Sequence, residues 1–143
     1  MKTLVEFIWE QQEKYGNATG EFSRLMNDMG IAGKIVNRDV NRAGLAEILG
    51  YEGTTNVQGE SQKKLDVIAN NEFIKALRNG RQCAAIISEE NDDVVIFDGS
   101  IGMNAKYIVA IDPLDGSSNI EVNVPIGTIF AIYKRKETGK LVT

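Results

Sequence analysis

Asp112 and Asp115 follow the uncharged run Tyr107-Ile-Val-Ala-Ile111 and precede Gly116, Ser117, Ser118 and Asn119. Residues 107 to 111 read as a buried β-strand, being mostly β-branched or aromatic. Pro113 is expected to end that strand and stiffen a turn, leaving both carboxylates close together at the strand's carboxyl end. Gly116 permits a tight backbone approach, and residues 117 to 119 supply hydroxyls, an amide and N–H groups. Paired carboxylates ahead of a small, donor-rich turn suit a metal ion holding an anionic group, most simply a phosphate. The alternative is an Asp-Pro/Asp-Gly turn in which both aspartates cap backbone groups. An EF-hand loop is excluded because Leu114, Gly116 and Asn123 occupy positions that need oxygen ligands and a closing Glu. A P-loop is excluded because Gly139-Lys140 is followed by Leu141.

Ser88-Glu89-Glu90 repeats the pattern, since the uncharged run Cys83 to Ile87 delivers two adjacent carboxylates at its end. Neighbouring strand residues point to opposite faces, so both glutamates serve one site only where the strand ends. Asn91, Asp92 and Asp93 then read as a solvated loop. Asp66, on an expected helix, lies beside the apolar stripe rather than opposite it. Carboxylates in a chain with no histidine favour Mg²⁺ or Mn²⁺ over zinc, because hard cations prefer oxygen ligands.

The elements that must position these groups belong to a chain of 143 residues, a normal size for one domain, with 43% hydrophobic and 25% charged residues. A net charge of −4 argues against a nucleic-acid surface. No apolar run is long enough to cross a membrane and no signal-peptide core stands at the start, so neither a membrane partner nor a leader is expected. The single cysteine, Cys83, excludes an internal disulfide, fits a reducing cytoplasm and reads as a packed thiol. Histidine-based triads are excluded, leaving acid–base work to carboxylates, lysines, tyrosines or metal-bound water.

Thr3-Leu-Val-Glu6 forms a capping box, predicting a helix carrying Leu4, Val5, Ile8, Trp9 and Tyr15 as core. A second helix is predicted from Glu21, with Phe22, Leu25, Met26, Met29, Ala32, Ile35, Val36 and Val40 on one face. Gly50 to Gly59 reads as a loop. A third helix is predicted from Ser61 to Asn79, with Leu65, Ile68, Ala69, Phe73 and Leu77 inward and Asn79-Gly80 as its stop. Strands are predicted at Cys83–Ser88, Val94–Phe97, Tyr107–Ile111 and Gly127–Arg135. Helices first and strands after predict an α+β fold, a layered architecture with a mostly antiparallel sheet. Lys136 to Lys140 reads as a hairpin turn with too short a returning strand, so the chain is expected to be a piece of a longer protein.

Lys63-Lys64-Leu65-Asp66-Val67, Ser88-Glu89-Glu90 and Asp112-Pro-Leu-Asp-Gly-Ser-Ser-Asn119 resemble the metal-binding blocks of class I fructose-1,6-bisphosphatases, and Gly127-Thr-Ile-Phe130 is similar to the strand after them. The Asp-Pro-Leu-Asp-Gly core is shared with inositol monophosphatase-like, lithium-sensitive phosphatases. The resemblance implies a sugar-phosphatase fold of which residues 1–143 form the N-terminal part. It also implies Mg²⁺-dependent removal of the 1-phosphate of fructose 1,6-bisphosphate, in gluconeogenesis. Another sugar or inositol phosphatase, or a non-catalytic AMP- or metal-binding module, are the alternatives.

By the same resemblance Glu89, Glu90, Asp112, Asp115 and the carbonyl of Leu114 hold metal, with Asp112 bridging. Glu60 stands where the family shows an aspartate ligand. Glu90 and Asp66 orient the attacking water, and Gly116, Ser117, Ser118 and Asn119 grip the phosphate. AMP inhibition is implied by Thr19, Gly20, Glu21, Phe22 and Ser23 at a helix start, with Lys106, Tyr107 and Lys134, where lysine replaces the usual arginine. A homo-oligomer, a homotetramer for the full-length family, and a cytoplasmic location are further expectations.

Overall fold

The computed structural model describes residues 1–15, 19–48, 57–118, 125–140 and 142, with the side chains of 43–48 and 57–63 set aside. Three helices come first: α1 (Leu4–Lys14), α2 (Glu21–Ile48) and α3 (Val57–Gly80). β1 (Cys83–Ser88), β2 (Val95–Ile96), α4 (Gly99–Asn104), β3 (Tyr107–Asp115) and β4 (Gly127–Lys134) follow. The strands form one sheet in the order β2-β1-β3-β4. The expected α+β class holds, with one refinement. β1 and β2, and β3 and β4, pair antiparallel, whereas the central pair β1 and β3 is parallel.

That parallel pair is what unites the two acidic clusters. Its register sets Ser88 beside Ile111, so both strands release their carboxylates at the same sheet end. β1 is buried along nearly its whole length, as a central strand covered on both faces must be. The core joins Leu25, Met29, Ala32, Val36 and Val40 of α2 to Leu65, Ala69, Phe73 and Leu77 of α3, and these to Cys83, Ile86, Val109, Ile111 and Leu114 of the sheet. Burial pushes the Cys83 thiol up to about 11, which keeps it protonated and inert at neutral pH.

The α1 capping box is present, with Thr3 Oγ1 accepting from Glu6 N–H at 3.2 Å and Glu6 Oε2 accepting from Thr3 N–H at 2.7 Å. Its apolar stripe is not core, however. Ile8 is buried, but Leu4, Val5, Trp9 and Tyr15 are exposed. Helical periodicity identifies residues sharing a face, not what covers that face. Phe22 and Ile68 are likewise exposed.

Several boundaries shift. α3 starts at Val57 rather than Ser61, so 57–59 are helical, while residues 50–56 of the expected loop lie outside the described residues. The left-handed residue after α3 is Arg81, at φ 61°, not Gly80. α3 still ends at Gly80 as expected, and Gly80 also makes room for α2, because a Cβ there would collide with the Asp28 carboxyl. β2 is shorter than Val94–Phe97, and α4 was not expected from the sequence.

β3 runs through Pro113 to Asp115. A register irregularity between Asp112 and Asp115 accommodates the proline, whose missing N–H would break a regular ladder. Thr128 Oγ1 donates to the Pro113 carbonyl at 2.9 Å and secures the irregularity. The returning strand expected at 141–143 falls mostly outside the described residues. No helix among the described residues is long and apolar enough to cross a membrane.

Candidate functional site: carboxylates at a sheet end and a cavity at the other

The Glu89 N–H donates to the Ile111 carbonyl at 3.0 Å, which sets Glu89 beside Asp112. Glu90 lies in the turn closed by the Asn91 N–H on the Ser88 carbonyl at 3.2 Å, and α3 brings Asp66 alongside. These groups share one field. The Glu90 carboxyl is pushed up by burial first, then by Asp66, Glu89 and Asp112. Asp112 is pushed up by burial and by Asp115, Glu89 and Asp66, against a lowering bond from the Leu114 N–H. Asp66 is pushed up by burial and by Glu89, against a lowering bond from Ser117. The sequence-predicted residues Asp66, Glu89, Glu90, Asp112, Asp115 and Ser117 are therefore brought together.

The turn between the aspartates is tied locally. Leu114 is buried, and its N–H donates to Asp112 Oδ1 at 3.2 Å. Gly116 adopts φ +80°, a left-handed value that favours glycine at this position. Ser118 is exposed, Asn119 lies outside the described residues, and nothing is described of the Glu60 side chain beyond its place in α3.

Among the described residues no three metal-ligating side chains converge closely enough to hold a cation as they stand. The donor chemistry nevertheless fits one. Asp66 Oδ1 is buried without a hydrogen-bond partner, and the surrounding carboxylates disfavour one another's ionisation. Counter-charge would stabilise such groups as anions, and oxygen donors suit a hard divalent ion.

A separate cavity of about 400 Å³ lies at the opposite end of β3. Tyr107 and Asp112 are about 17 Å apart along the strand at some 3.3 Å per residue. Every residue of the predicted nucleotide set lines this cavity: Thr19, Gly20, Glu21, Phe22, Ser23, Lys106, Tyr107 and Lys134. Lys106 Nζ donates to Glu21 Oε2 at 2.6 Å, and this bond, ahead of one from Thr19, holds the Glu21 carboxyl below its usual range. Phe22 and Tyr107 meet edge to face with centroids 5.9 Å apart.

Residues 2–143 match the family model described as "Fructose-1-6-bisphosphatase, N-terminal domain". The chain belongs to the fructose-1,6-bisphosphatase family. It is 56% identical over 140 residues to a class 1 fructose-1,6-bisphosphatase of Cytophaga hutchinsonii, covering 97% of this chain and 40% of that relative. The chain thus spans well under half of the curated relative's length. The fructose-1,6-bisphosphatase of Leishmania major in holo form is 30% identical and superposes with a TM-score of 0.79, over 99% of this chain and 40% of its own. Its apo form gives a TM-score of 0.74 at the same identity, over 96% and 38%.

Two sets of residues escaped the sequence reading of this fructose-1,6-bisphosphatase domain. Phe7, Gln11 and Gln12 of α1 and Tyr15 just past its end line the cavity, and the Gln12 side chain bonds Ser23. Only Tyr15 stood out in the sequence, as a core residue; the others carried no signal until α1 was seen lying over the start of α2. Asn70 and Ser88 are buried polar residues behind the carboxylates. The only hint of Asn70 was its place one helical turn beyond Asp66.

Proposed function

We propose that this chain is the metal- and phosphate-binding part of a Mg²⁺-dependent fructose-1,6-bisphosphatase that releases the 1-phosphate of fructose 1,6-bisphosphate. The observation that supports this reading is that Glu89, Glu90, Asp112 and Asp115 gather at the shared end of two parallel strands, within reach of one another's charge and that of Asp66. Residues 1–143 form the N-terminal part of the phosphatase domain, in keeping with the 40% coverage of the relatives.

Glu89, Glu90, Asp112, Asp115 and the Leu114 carbonyl, with Glu60 from α3, would hold Mg²⁺ or Mn²⁺. When bound, divalent ions acidify water and neutralise the charge that develops on a phosphoryl group, which offsets the very slow uncatalysed hydrolysis of a phosphate monoester. The chain's own groups do the positioning. Asp66 and Glu90 carry raised carboxyl pKa values, so each is a better proton acceptor than an ordinary carboxylate and is suited to take a proton from the attacking water. Ser117, bonded to Asp66, links that base to the phosphate-binding turn of Gly116, Ser117, Ser118 and Asn119. Neither serine has a histidine base, which argues against a covalent serine intermediate.

The cavity at the start of β3 is the proposed AMP site. Lys106 and Lys134 supply charge for a phosphate, and Phe22, Tyr107 and Tyr15 supply flat apolar surface for a base. The exposed apolar residues of α1 and β4 fit burial in a cytoplasmic homo-oligomer of the full-length protein, the gluconeogenic enzyme.

Phosphate release from fructose 1,6-bisphosphate by the full-length enzyme, with Mg²⁺ or with EDTA, tests the reading. Release is expected with Mg²⁺ only and is expected to be lost in Asp115→Asn. Equal release in EDTA, or faster turnover of inositol 1-phosphate, would overturn it.

A further inference from the structure

We propose that Asn70 is a positioning residue that sets the spacing between Asp66 and the Glu89–Glu90 pair. The inference rests on the proposed phosphatase reading for what those carboxylates do, but its geometry stands on its own. Asn70 lies one helical turn beyond Asp66 on α3, so the two share a face of that helix. Asn70 is 7% exposed and Ser88 5%, and a buried polar group needs its hydrogen bonds satisfied.

Both ends of the Asn70 amide are used. Its Oδ1 accepts from Ser88 Oγ at 2.8 Å, and its Nδ2 donates to Asn91 Oδ1 at 2.7 Å. Ser88 and Asn91 are the first and last residues of the turn that carries Glu89 and Glu90. The turn closes on itself as well, since the Asn91 N–H donates to the Ser88 carbonyl at 3.2 Å and the Glu90 N–H to Ser88 Oγ at 3.3 Å. Glu89 is separately tied to β3 through the Ile111 carbonyl. One side chain therefore straps α3 across both ends of the turn.

The acidic groups alone would not hold this arrangement, because they repel one another. A neutral amide is suited to the task, since it supplies one acceptor and one donor without adding charge. Aspartate would bring a further negative group, and leucine would fill the volume but make neither bond. Residues that hold metal-binding side chains in place typically cost about 10- to 100-fold in metal affinity when removed.

The test uses the full-length enzyme and reads Mn²⁺ binding by isothermal titration calorimetry, with phosphate release measured alongside. Asn70→Leu is expected to weaken Mn²⁺ binding about tenfold or more. Asn91→Ala, which leaves the core untouched, is expected to weaken it severalfold should the leucine variant fail to fold. Asn91→Asp keeps an acceptor for Asn70 Nδ2 and should bind no more weakly than about twofold below the wild type. Leu77→Val, a core change about 10 Å farther along the same helix at 1.5 Å per residue, should lower the unfolding temperature without changing Mn²⁺ affinity. Wild-type affinity in both Asn70→Leu and Asn91→Ala, or an equal loss in Leu77→Val, would overturn the proposal. A wild type that binds Mn²⁺ but hydrolyses nothing would overturn the phosphatase reading instead, and the Asn70 comparison would still decide.

Discussion

Asp112→Asn should stabilise the metal-free protein and destabilise the metal-loaded one. The Asp112 carboxyl is pushed up by burial and then by Asp115, Glu89 and Asp66, so its ionised form is disfavoured in the fold. The sign follows directly. A folded-state pKa above the unfolded one means stability is lost as pH rises through the folded value, so the ionised Asp112 carries a penalty above that pH. Asparagine removes the charge yet keeps an Oδ1 to accept the Leu114 N–H, now at 3.2 Å. Because Asp112 is only partly buried, the relief is modest, on the order of 1 kcal/mol for a neighbouring charge in a water-like dielectric.

With Mg²⁺ at a hundred times its dissociation constant, binding to the folded state alone adds about 2.7 kcal/mol to the wild type. A variant whose affinity falls about a hundredfold would gain only about 0.4 kcal/mol by the same relation. The variant therefore leads by about 1 kcal/mol in EDTA and trails by a similar amount in Mg²⁺, each worth a few degrees in unfolding temperature. Thermal unfolding of the full-length protein and its variant at pH 7.5, with EDTA or Mg²⁺, reads both arms. The same rank order in both conditions would refute the reasoning.

Glu21→Gln should tighten AMP binding about two- to fivefold, because Glu21 competes with an incoming phosphate for Lys106 across a half-exposed ion pair. Lys106→Met should weaken it tenfold or more, and calorimetric titration of the full-length enzyme measures both. Asp28→Asn should raise the unfolding temperature at pH 7 but not below about pH 4, near the ordinary carboxylate pKa. Burial raises the Asp28 carboxyl and leaves Oδ2 without a partner, so the penalty grows as pH rises through its folded value; a gain persisting in acid would argue against this account. Phe73→Ala should cost about 3–5 kcal/mol in denaturant unfolding, since Phe73 is 1% exposed between the helices and the sheet. A loss under about 1 kcal/mol would mean that the core there is loose.

Much of the fold was legible because its signals are local. The Thr3–Glu6 box marks the start of α1, and the uncharged runs at Cys83–Ser88 and at Tyr107 mark β1 and β3. What failed was mostly a matter of partners. Leu4, Val5, Trp9 and Tyr15 repeat at helical spacing, yet only Ile8 of that stripe finds cover among the described residues. Pro113 stays within β3 because the pairing with β4 shifts register around it, which a strand read alone does not reveal. Gly80 does end α3, but that it also leaves the space into which Asp28 fits is not legible from the helix signal alone.

The sequence by itself determined the chemistry on offer: carboxylates without histidine, acidic pairs at the ends of two uncharged runs, and a donor-rich turn after Asp115. Those are properties of residue type and short spacing, which the chain carries folded or not. Tertiary structure decided which of these groups meet. The parallel register of β1 and β3 sets Glu89 beside Asp112, the packing of α3 brings in Asp66, and the Asn70 amide straps that helix to the glutamate turn. Strand pairing and helix docking join residues far apart in the chain. Their energy comes from burying Val109, Ile86 and Phe73 together rather than from anything local to the acidic residues themselves.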